Sequence, residues 1–330
     1  MKVARIASLG LVVLMAGAVP LARGDDKKKD MNEIGNRKVA HRAMISQEKE
    51  IGIGKQYSTE IEKTAKLITD PVINEYVNRV AQNIARNSDL TIPLTVKVID
   101  APGINAFALP GGYLYVNSGL LQTADEESQL AGVMAHEIAH VAARHWASQM
   151  TKQTIAQYAM IPLMFIPMGY ALYYGVMEAY MNGVPLIFLK FSRNDEAEAD
   201  FLGLQYMVKA GYDPYTYVTI FSKVMDEERR DPGSVPKIFQ DHPPTPDRML
   251  QLDSEMKAFP KRDQYLVSTS EFDDVKARLN SVISNRKKEK HQDGPTLKKR
   301  ESTDQTATQP ADQKSKDSSS DTPPVLRRRN

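Results

Sequence analysis

Residues 131–145 read Ala-Gly-Val-Met-Ala-His136-Glu137-Ile-Ala-His140-Val-Ala-Ala-Arg-His145, with two histidines four positions apart in the first part of the stretch. In an α-helix this spacing puts both imidazoles on one face, a turn apart. Two neutral imidazoles so placed can bind a single Zn²⁺ ion. Glu137 follows the first histidine and is near enough to take a proton from a water molecule held there. The stretch is therefore a candidate metal-binding helix.

The flanking residues predict that this helix is buried. No proline lies between Gln129 and Ala143, and alanine, leucine and methionine are frequent there, as is typical of helices. Buried histidine and glutamate side chains need polar partners, and a metal ion is one such partner. A chance match to H-E-x-x-H is the alternative, and it arises in on the order of one chain in a hundred at this length.

A second predicted helix begins near Phe191 and contains Glu196, Glu198 and Asp200. Glu196 and Asp200 share one face, whereas Glu198 lies about 200° round the helix and is expected to face solvent. A carboxylate from a second helix completes a three-ligand zinc site in hydrolases of this kind, and another carboxylate orients a histidine ligand through its other ring nitrogen. Glu196 and Asp200 are candidates for these roles, and a solvated acidic helix face is the alternative.

The segment Asp241-His242-Pro-Pro-Thr-Pro-Asp-Arg248 is a proline-rich turn that leads into a predicted helix at Met249. Because proline restricts the backbone, His242 is held in one place. His242 and Arg248 are candidates to stabilise the oxyanion formed during hydrolysis. His242 could instead bind the metal and hold the enzyme inactive. A histidine on a surface loop is the alternative.

His145 is a weaker candidate for a metal ligand. It follows His136 by nine residues, which is about half a turn away round a helix. Metzincins place their third histidine ten residues after the first, and Trp146 stands at that position here. His145 is therefore predicted to be structural.

Composition excludes several other kinds of site. There is no cysteine, which excludes a thiol nucleophile, an Fe–S cluster, a cysteine-rich zinc finger and disulfides. The net charge of +2 is unevenly spread: residues 1–24 carry +3, residues 286–330 carry +5, and the body between them carries the remaining −6. An acidic body with a basic tail is not typical of a protein that binds nucleic acid.

The ends of the chain differ from its body. Residues 1–24 combine a basic start, an apolar run and small residues before a polar stretch, which predicts a cleaved signal peptide and a periplasmic protein. An uncleaved anchor helix is the alternative. A polar linker is predicted over residues 25–45, a catalytic domain over 46–285, and a disordered basic and polar tail over 286–330.

Helices are predicted from Glu48 and from Asp70-Pro71, where aspartate caps the helix and proline starts it. The residues from Leu94 to Ile99 alternate as in a strand. Asn105 to Asn117 predicts two short strands around a Pro-Gly-Gly turn. A strand beside the metal helix could pair with an extended peptide, and an ordinary core hairpin is equally compatible with the residues.

Residues 154–191 are almost uncharged and are interrupted by Pro162, Pro167 and Pro185. Each apolar piece is shorter than a typical membrane span. A mobile hydrophobic flap over the site, a hairpin that touches a membrane, and a plain core helix are three interpretations that the residues leave open.

Four motifs together resemble the M48 peptidases, the Ste24/HtpX-type zinc metalloprotease family. They are Asn105-Ala-Phe-Ala-Leu-Pro-Gly-Gly, His136-Glu-Ile-Ala-His140, Ser192-Arg-Asn-Asp-Glu196-Ala-Glu-Ala-Asp200 and His242-Pro with Arg248. The resemblance is greatest to the secreted bacterial branch of the family, which includes a periplasmic protease that acts in β-barrel assembly. It implies a gluzincin-like domain of the α+β class, mostly α-helical, with a small β-sheet next to the H-E-x-x-H helix.

The resemblance also implies roles for individual residues. The metal ligands would be His136, His140 and Glu196, and the catalytic base would be Glu137. His242 would sit over the zinc site and could cap it. The strand that pairs with substrate would include the residues Asn105, Ala106, Phe107 and Ala108. Asp200 would orient one of the two ligand histidines.

The expected function is that of a zinc-dependent endopeptidase of the periplasm, with one Zn²⁺ per chain. Its expected substrates are unfolded or misassembled envelope proteins, and outer-membrane proteins and their assembly machinery are its expected partners. No nucleic acid partner is expected, and residues 154–191 could make peripheral membrane contact. The alternatives are a chaperone or assembly factor that cleaves rarely, and a membrane-integral protease.

Overall fold

The structure is a computed structural model and describes residues 30–160, 174–175, 177, 191–230, 242, 245–259 and 265–292. After a 3-10 turn at Met31–Glu33, the helices within these residues are α1 Gln47–Thr64, α2 Pro71–Arg86, α3 Ser118–Thr123, α4 Glu127–Ala142, α5 His145–Met160, α6 Arg193–Ala210, α7 Tyr215–Arg230, α8 Pro246–Ala258 and α9 Ser270–Gln292. The strands are β1 Thr95–Ile99, β2 Ala106–Leu109 and β3 Tyr113–Asn117. This arrangement confirms the predicted α+β class, mostly helical with one small sheet.

Helix α4 lies at the centre of the core, and all sixteen of its residues are buried. Helix α6 packs closely against it because Gly203 has no side chain. A Cβ atom at that position would lie 3.2 Å from the backbone nitrogen of His136. Gly132 of α4 similarly admits the ring of Tyr217 from α7, since a Cβ there would lie 2.7 Å from the ring. These two contacts bring α6 and α7 to the face of α4 that carries His136.

Helix α2 begins and packs as predicted. The Asp70 side chain accepts hydrogen bonds from the backbone nitrogens of Val72 and Ile73 at 3.1 and 3.3 Å, and Pro71 occupies the first turn. The apolar stripe is buried at each of its members, Ile73, Tyr76, Val77, Val80 and Ile84. Capping and apolar periodicity thus act together at this helix.

The sheet has the strand order β1-β3-β2. Strand β3 pairs in parallel with β1 and antiparallel with β2. The predicted Pro-Gly-Gly turn joins β2 to β3, and Gly111 and Gly112 both have positive φ, 79° and 86°, a conformation that glycine adopts without steric cost. Within the described residues, strand β2 is an edge strand of this sheet, which is one of the two interpretations that the sequence left open.

The segment of residues 34–46 differs from the polar linker expected over 25–45. Ile34 and Val39 are buried in the core, and the guanidinium of Arg37 lies 2.9 Å from the carboxylate of Asp89 with both groups buried. The backbone of His41 donates to the carbonyl of Ala143 at the end of α4. The sequence did not predict this packing, because the partner of the buried Arg37 is Asp89, which lies far along the chain.

Several predictions fall outside the described residues. These are the signal peptide over 1–24, nearly all of the apolar stretch over 154–191, and most of the tail over 286–330. Helix α9 continues to Gln292, past the domain boundary expected at 285. Over the residues that the structure describes, none of the helices combines the length and apolar character that a membrane span requires.

Helix α1 supports the β2–β3 turn through Gly54, and this contact is testable. A Cβ atom at Gly54 would lie 1.7 Å from the carbonyl oxygen of Pro110. We expect Gly54→Ala to lower the free energy of unfolding by about 1–3 kcal/mol, as overpacking does. Urea unfolding of the purified protein measures this change.

Gly52 provides a matched control on the same helix, because a Cβ there would meet no atom of the described part of the chain within 4 Å. Gly52→Ala should be neutral or stabilise the protein by about 0.5–1 kcal/mol through helix propensity. If Gly54→Ala is as stable as Gly52→Ala, the turn is not held by this contact.

Candidate metal centre

Helix α4 places His136, Glu137 and His140 in the interior of the protein. Their exposed fractions are 3%, 2% and 4%. The four-residue spacing brings the Nε2 atoms of the two histidines to 3.0 Å from each other. Both nitrogens point into the space between α4 and α6, so the expectation that the two imidazoles share a face matches the structure.

Helix α6 brings Glu196 to the same place. Its start is fixed by a capping box, in which the Ser192 hydroxyl accepts from the backbone of Asp195 and the Asp195 carboxylate accepts from the backbone of Ser192. The Glu196 carboxylate oxygens lie 3.5 Å from Nε2 of His136 and 3.6 Å from Nε2 of His140. The two helices therefore bring a pair of imidazoles and a carboxylate together.

His242 joins this group from the turn before α8. Its Nδ1 lies 2.8 Å from Glu196 Oε1 and 3.4 Å from His136 Nε2. Each of His136, His140, Glu196 and His242 offers a donor atom within 4.8 Å of those of the others, and all four are buried. Two to three imidazoles with one carboxylate form a donor set typical of Zn²⁺.

The pKa shifts of His140 and Glu196 fit a bound cation. Burial lowers the pKa of His140 well below its ordinary value, and the neighbouring His136 lowers it further. Burial raises the pKa of Glu196, but His242, His136 and His140 outweigh this and hold it far below its usual range. Metal ligands must be neutral imidazoles and ionised carboxylates, so both groups are in the form that binds a metal.

Glu137 is held beside the cluster by strand β2. Its Oε2 accepts a hydrogen bond from the backbone nitrogen of Ala108 at 3.0 Å, while its Oε1 is buried and has no hydrogen-bond partner among the residues that the structure describes. Burial raises the pKa of this carboxyl, although His242 and His136 oppose the change. A buried carboxylate with one unpaired oxygen can accept a proton from a water molecule in the cluster.

Asp200 lies behind His136, one turn along α6 from Glu196. Its Oδ1 is 3.1 Å from Nδ1 of His136. Burial raises the pKa of Asp200, but His136 and Arg248 outweigh this and lower it. Of the two ligand histidines that Asp200 was expected to orient, the structure places it at His136.

Arg248 occupies a different place from the one predicted. Its Nε and one terminal nitrogen each donate to Asp200 at 2.7 Å, and its other terminal nitrogen lies 3.1 Å from Glu196. The expected role at the oxyanion does not match this placement, because the guanidinium is bound to the two carboxylates of α6. Arg248 instead positions Asp200 and Glu196.

The predicted substrate strand also lies at the site. Ala106, Phe107 and Ala108 belong to β2, and Asn105 immediately precedes it. Phe107 stacks on Tyr115 of β3, with ring centroids 5.2 Å apart. The Ala108 backbone nitrogen contacts Glu137 rather than another strand, so β2 connects the edge of the sheet to the candidate base.

Comparison with known proteins identifies the family. The sequence profile described as Peptidase family M48 matches residues 71–256, more than half of the chain. The chain belongs to this family. The match includes His136, Glu137, His140, Glu196 and His242, and it confirms the resemblance on which the sequence interpretation rested.

This chain is 31% identical over 239 residues to the beta-barrel assembly-enhancing protease of Escherichia coli strain K12. The aligned residues make up 69% of this chain and 48% of the relative. The chain is 28% identical over 251 residues to the protein of the same name from Yersinia pestis, or 72% of this chain and 49% of the relative. It is 37% identical over 131 residues to the mitochondrial metalloendopeptidase OMA1 of Arabidopsis thaliana, an alignment that covers 39% of this chain and 25% of the relative. The chain spans less than half of each relative's length.

Tyr217 is a site residue that the sequence analysis missed. Its hydroxyl donates to Asp200 at 2.8 Å and lies 3.1 Å from Nδ1 of His136. Burial, and then the charge of Asp200, raise the pKa of this phenol well above its ordinary value, so it remains a proton donor. In the sequence it is one aromatic residue on an amphipathic helix, without a spacing that sets it apart.

The prediction for Glu198 was wrong. Its side chain does not face solvent but contacts His41 and His145, with only 18% of its surface exposed. The angle round α6 was correct, but the sequence did not show that α5 and the segment of residues 34–46 cover this side of the helix. His145 is fully buried and contacts Nδ1 of His140, the ring nitrogen that faces away from the other members of the cluster.

The contacts of Tyr217 lead to a test of metal affinity. We expect Tyr217→Phe to weaken metal binding by about 10–100-fold, because His136 and Asp200 lose a hydrogen-bond partner. Competition between the purified protein and a chelator measures this affinity. Tyr215→Phe is the control, since Tyr215 lies on the same helix and is 45% exposed; equal affinities for the two variants would contradict the role of Tyr217.

Proposed function

We propose that this M48 chain is a zinc-dependent endopeptidase of the bacterial periplasm that hydrolyses unfolded or misassembled envelope proteins. The observation that carries the proposal is the buried cluster of His136, His140 and Glu196 with Glu137 beside it. Family membership supports peptidase chemistry, and the donor set supports zinc.

His136, His140 and Glu196 would hold the metal. When bound, a zinc ion polarises the peptide carbonyl and lowers the pKa of the attacking water. Asp200, Tyr217 and Arg248 keep two of these ligands in place from behind, since they contact His136 and Glu196. The protein therefore contributes a rigid set of ligands, because polar side chains contact His136 and Glu196 on the sides that face away from the metal.

Glu137 would act as the general base and then as the general acid. Its unpaired Oε1 accepts a proton from the attacking water, and the same oxygen can pass the proton to the leaving amine. The raised pKa that burial gives this carboxyl makes it a stronger base than an exposed glutamate. The hydrogen bond from Ala108 fixes its other oxygen.

Two roles remain open for His242. Its contacts with Glu196 and His136 favour a resting arrangement in which it is a further metal ligand. Its Nε2 lies 3.7 Å from Glu137 Oε1, so the same ring could stabilise an oxyanion after it leaves the metal. Both roles use the histidine predicted from the proline-rich turn.

The surroundings of the cluster support an extended apolar substrate. Strand β2 is an edge strand to which a peptide can add. Leu109, Pro110, Trp146 and Phe191 form an apolar lining around a very small hollow near His140. Ile155 and Tyr158, on the last turns of α5, are more than half exposed. They support the proposal that residues 154–191 contact a substrate or a membrane surface.

The periplasmic location rests on the predicted signal peptide over residues 1–24 and on the names of the bacterial relatives. Those names also favour a second candidate function, that of an assembly factor for outer-membrane proteins that cleaves rarely. A strain in which Glu137→Gln replaces the wild-type protein separates the two. Rescue of outer-membrane protein assembly by that variant, compared with a deletion, would make binding the main activity.

Cleavage of unfolded casein by the purified protein tests the enzymatic proposal. We expect Glu137→Gln to retain its zinc and to lose about 10²–10⁴-fold in rate, because only the proton transfer is removed. Elemental analysis measures the metal. Glu126→Gln, at the start of the same helix and outside the cluster, is the matched control. Wild-type cleavage rates in Glu137→Gln would eliminate the proposed base.

A further inference from the structure

We propose that His145 and Glu198 are positioning residues that orient His140, and that His41 connects the N-terminal segment to them. This inference rests on the proposed metal ligands. Nδ1 of His145 lies 2.9 Å from Nδ1 of His140, and Nε2 of His145 lies 3.3 Å from Glu198 Oε2. Nε2 of His41 lies 2.6 Å from the same oxygen.

If His140 binds the metal, the distances determine which ring nitrogens carry hydrogen. Two Nδ1 atoms at 2.9 Å form a hydrogen bond only when one carries a hydrogen and the other does not. A His140 that binds metal through Nε2 as a neutral imidazole carries its hydrogen on Nδ1. His140 is therefore the donor and His145 Nδ1 the acceptor. A neutral His145 then carries its hydrogen on Nε2, directed at the Glu198 carboxylate.

The same proton positions argue against a second metal ion. His41, His145 and Glu198 have donor atoms within 4.8 Å of one another and resemble a site with two histidines and one carboxylate. A histidine binds a metal through an unprotonated ring nitrogen. Nε2 of His145 carries a hydrogen whenever His140 binds the first metal. The three side chains therefore support the metal centre and do not form another.

The turn between α4 and α5 explains how His145 returns to His140. Arg144 adopts a left-handed conformation, with φ of 55°, which ends α4 and redirects the chain. Its guanidinium is held by Glu50, at 2.8 Å, and by the carbonyl of Ile45, at 3.0 Å. His145 consequently does not lie where a continuous helix would place it, and it contacts a ligand rather than the metal.

Each ligand histidine thereby has a partner on its outer nitrogen. His136 has Asp200 and Tyr217, and His140 has His145 followed by Glu198. The second arrangement also involves the segment of residues 34–46, because His41 binds Glu198 and its backbone binds Ala143 at the end of α4. Displacing that segment would remove one of the contacts that hold Glu198.

Two substitutions of His145 test the role of its Nδ1. His145→Asn keeps a hydrogen-bond acceptor near the Nδ1 position, whereas His145→Phe removes it but keeps a buried ring. We expect His145→Phe to bind zinc about 10–100-fold more weakly than the wild type, and His145→Asn to lose less. Chelator competition with the full chain measures the affinity, and the absorption spectrum of the Co²⁺ form reports the ligand geometry.

The outcomes separate this inference from the proposed function. Wild-type protein that binds no zinc would overturn the metal centre and the role of His145 with it. Tight binding by the wild type with equal affinity in His145→Phe would overturn only the role of His145. Equal losses of affinity in both variants would also overturn the role of His145, because packing alone would then explain the loss. So would two zinc ions per wild-type chain, because His145 would then bind a metal itself.

The wild-type protein provides a test that does not depend on whether the variants fold. Long-range ¹H–¹⁵N spectra of zinc-loaded protein with ¹⁵N-labelled histidine distinguish protonated from bare ring nitrogens. We expect the His145 ring, assigned in the wild-type protein by its through-space contacts with the His140 ring 4.9 Å away, to carry hydrogen on Nε2 and none on Nδ1. The opposite tautomer would overturn the proposal.

Discussion

The packing of α6 against α4 is the contact on which the site depends. Helix α4 is buried over its whole length and carries four ionisable side chains, including His136, Glu137 and His140 at the site, which are costly to bury without partners. Helix α6 supplies those partners, and Gly203 lets the two backbones approach closely enough for Glu196 and Asp200 to reach His136. A larger residue at Gly203 would separate the carboxylates from the imidazoles.

The charges within this contact favour the binding of a cation. Glu137, Glu196 and Asp200 are three buried carboxylates, and Arg248 supplies one positive charge among them. Without another cation, the carboxylates act on an imidazole: burial lowers the pKa of His136, but Asp200 and Glu196 outweigh this and raise it to about 9. A divalent ion would neutralise the remaining two negative charges and bind an unprotonated His136.

The supports of the site come from the whole domain. Strand β2 fixes Glu137, α7 and α8 fix Asp200 through Tyr217 and Arg248, and α5 contacts His140 through His145. A precisely held set of ligands needs such outer contacts, because a small displacement of a catalytic group lowers its efficiency. Because β2 also holds the candidate base, a substrate bound along this strand would lie close to Glu137.

The sequence by itself determined the features that local geometry fixes. The helical spacing of His136 and His140, the pairing of Glu196 with Asp200, the cap at Asp70 and the Pro-Gly-Gly turn follow from the angle per residue and from backbone preferences. Only the tertiary structure decided which elements cover each face. Glu198 was predicted to be solvated, Arg248 to act at the oxyanion, and Tyr217 was not considered, because their partners lie between 17 and 157 residues away in the chain. Spacing along a helix gives the direction of a side chain, but what it meets there depends on packing between distant segments.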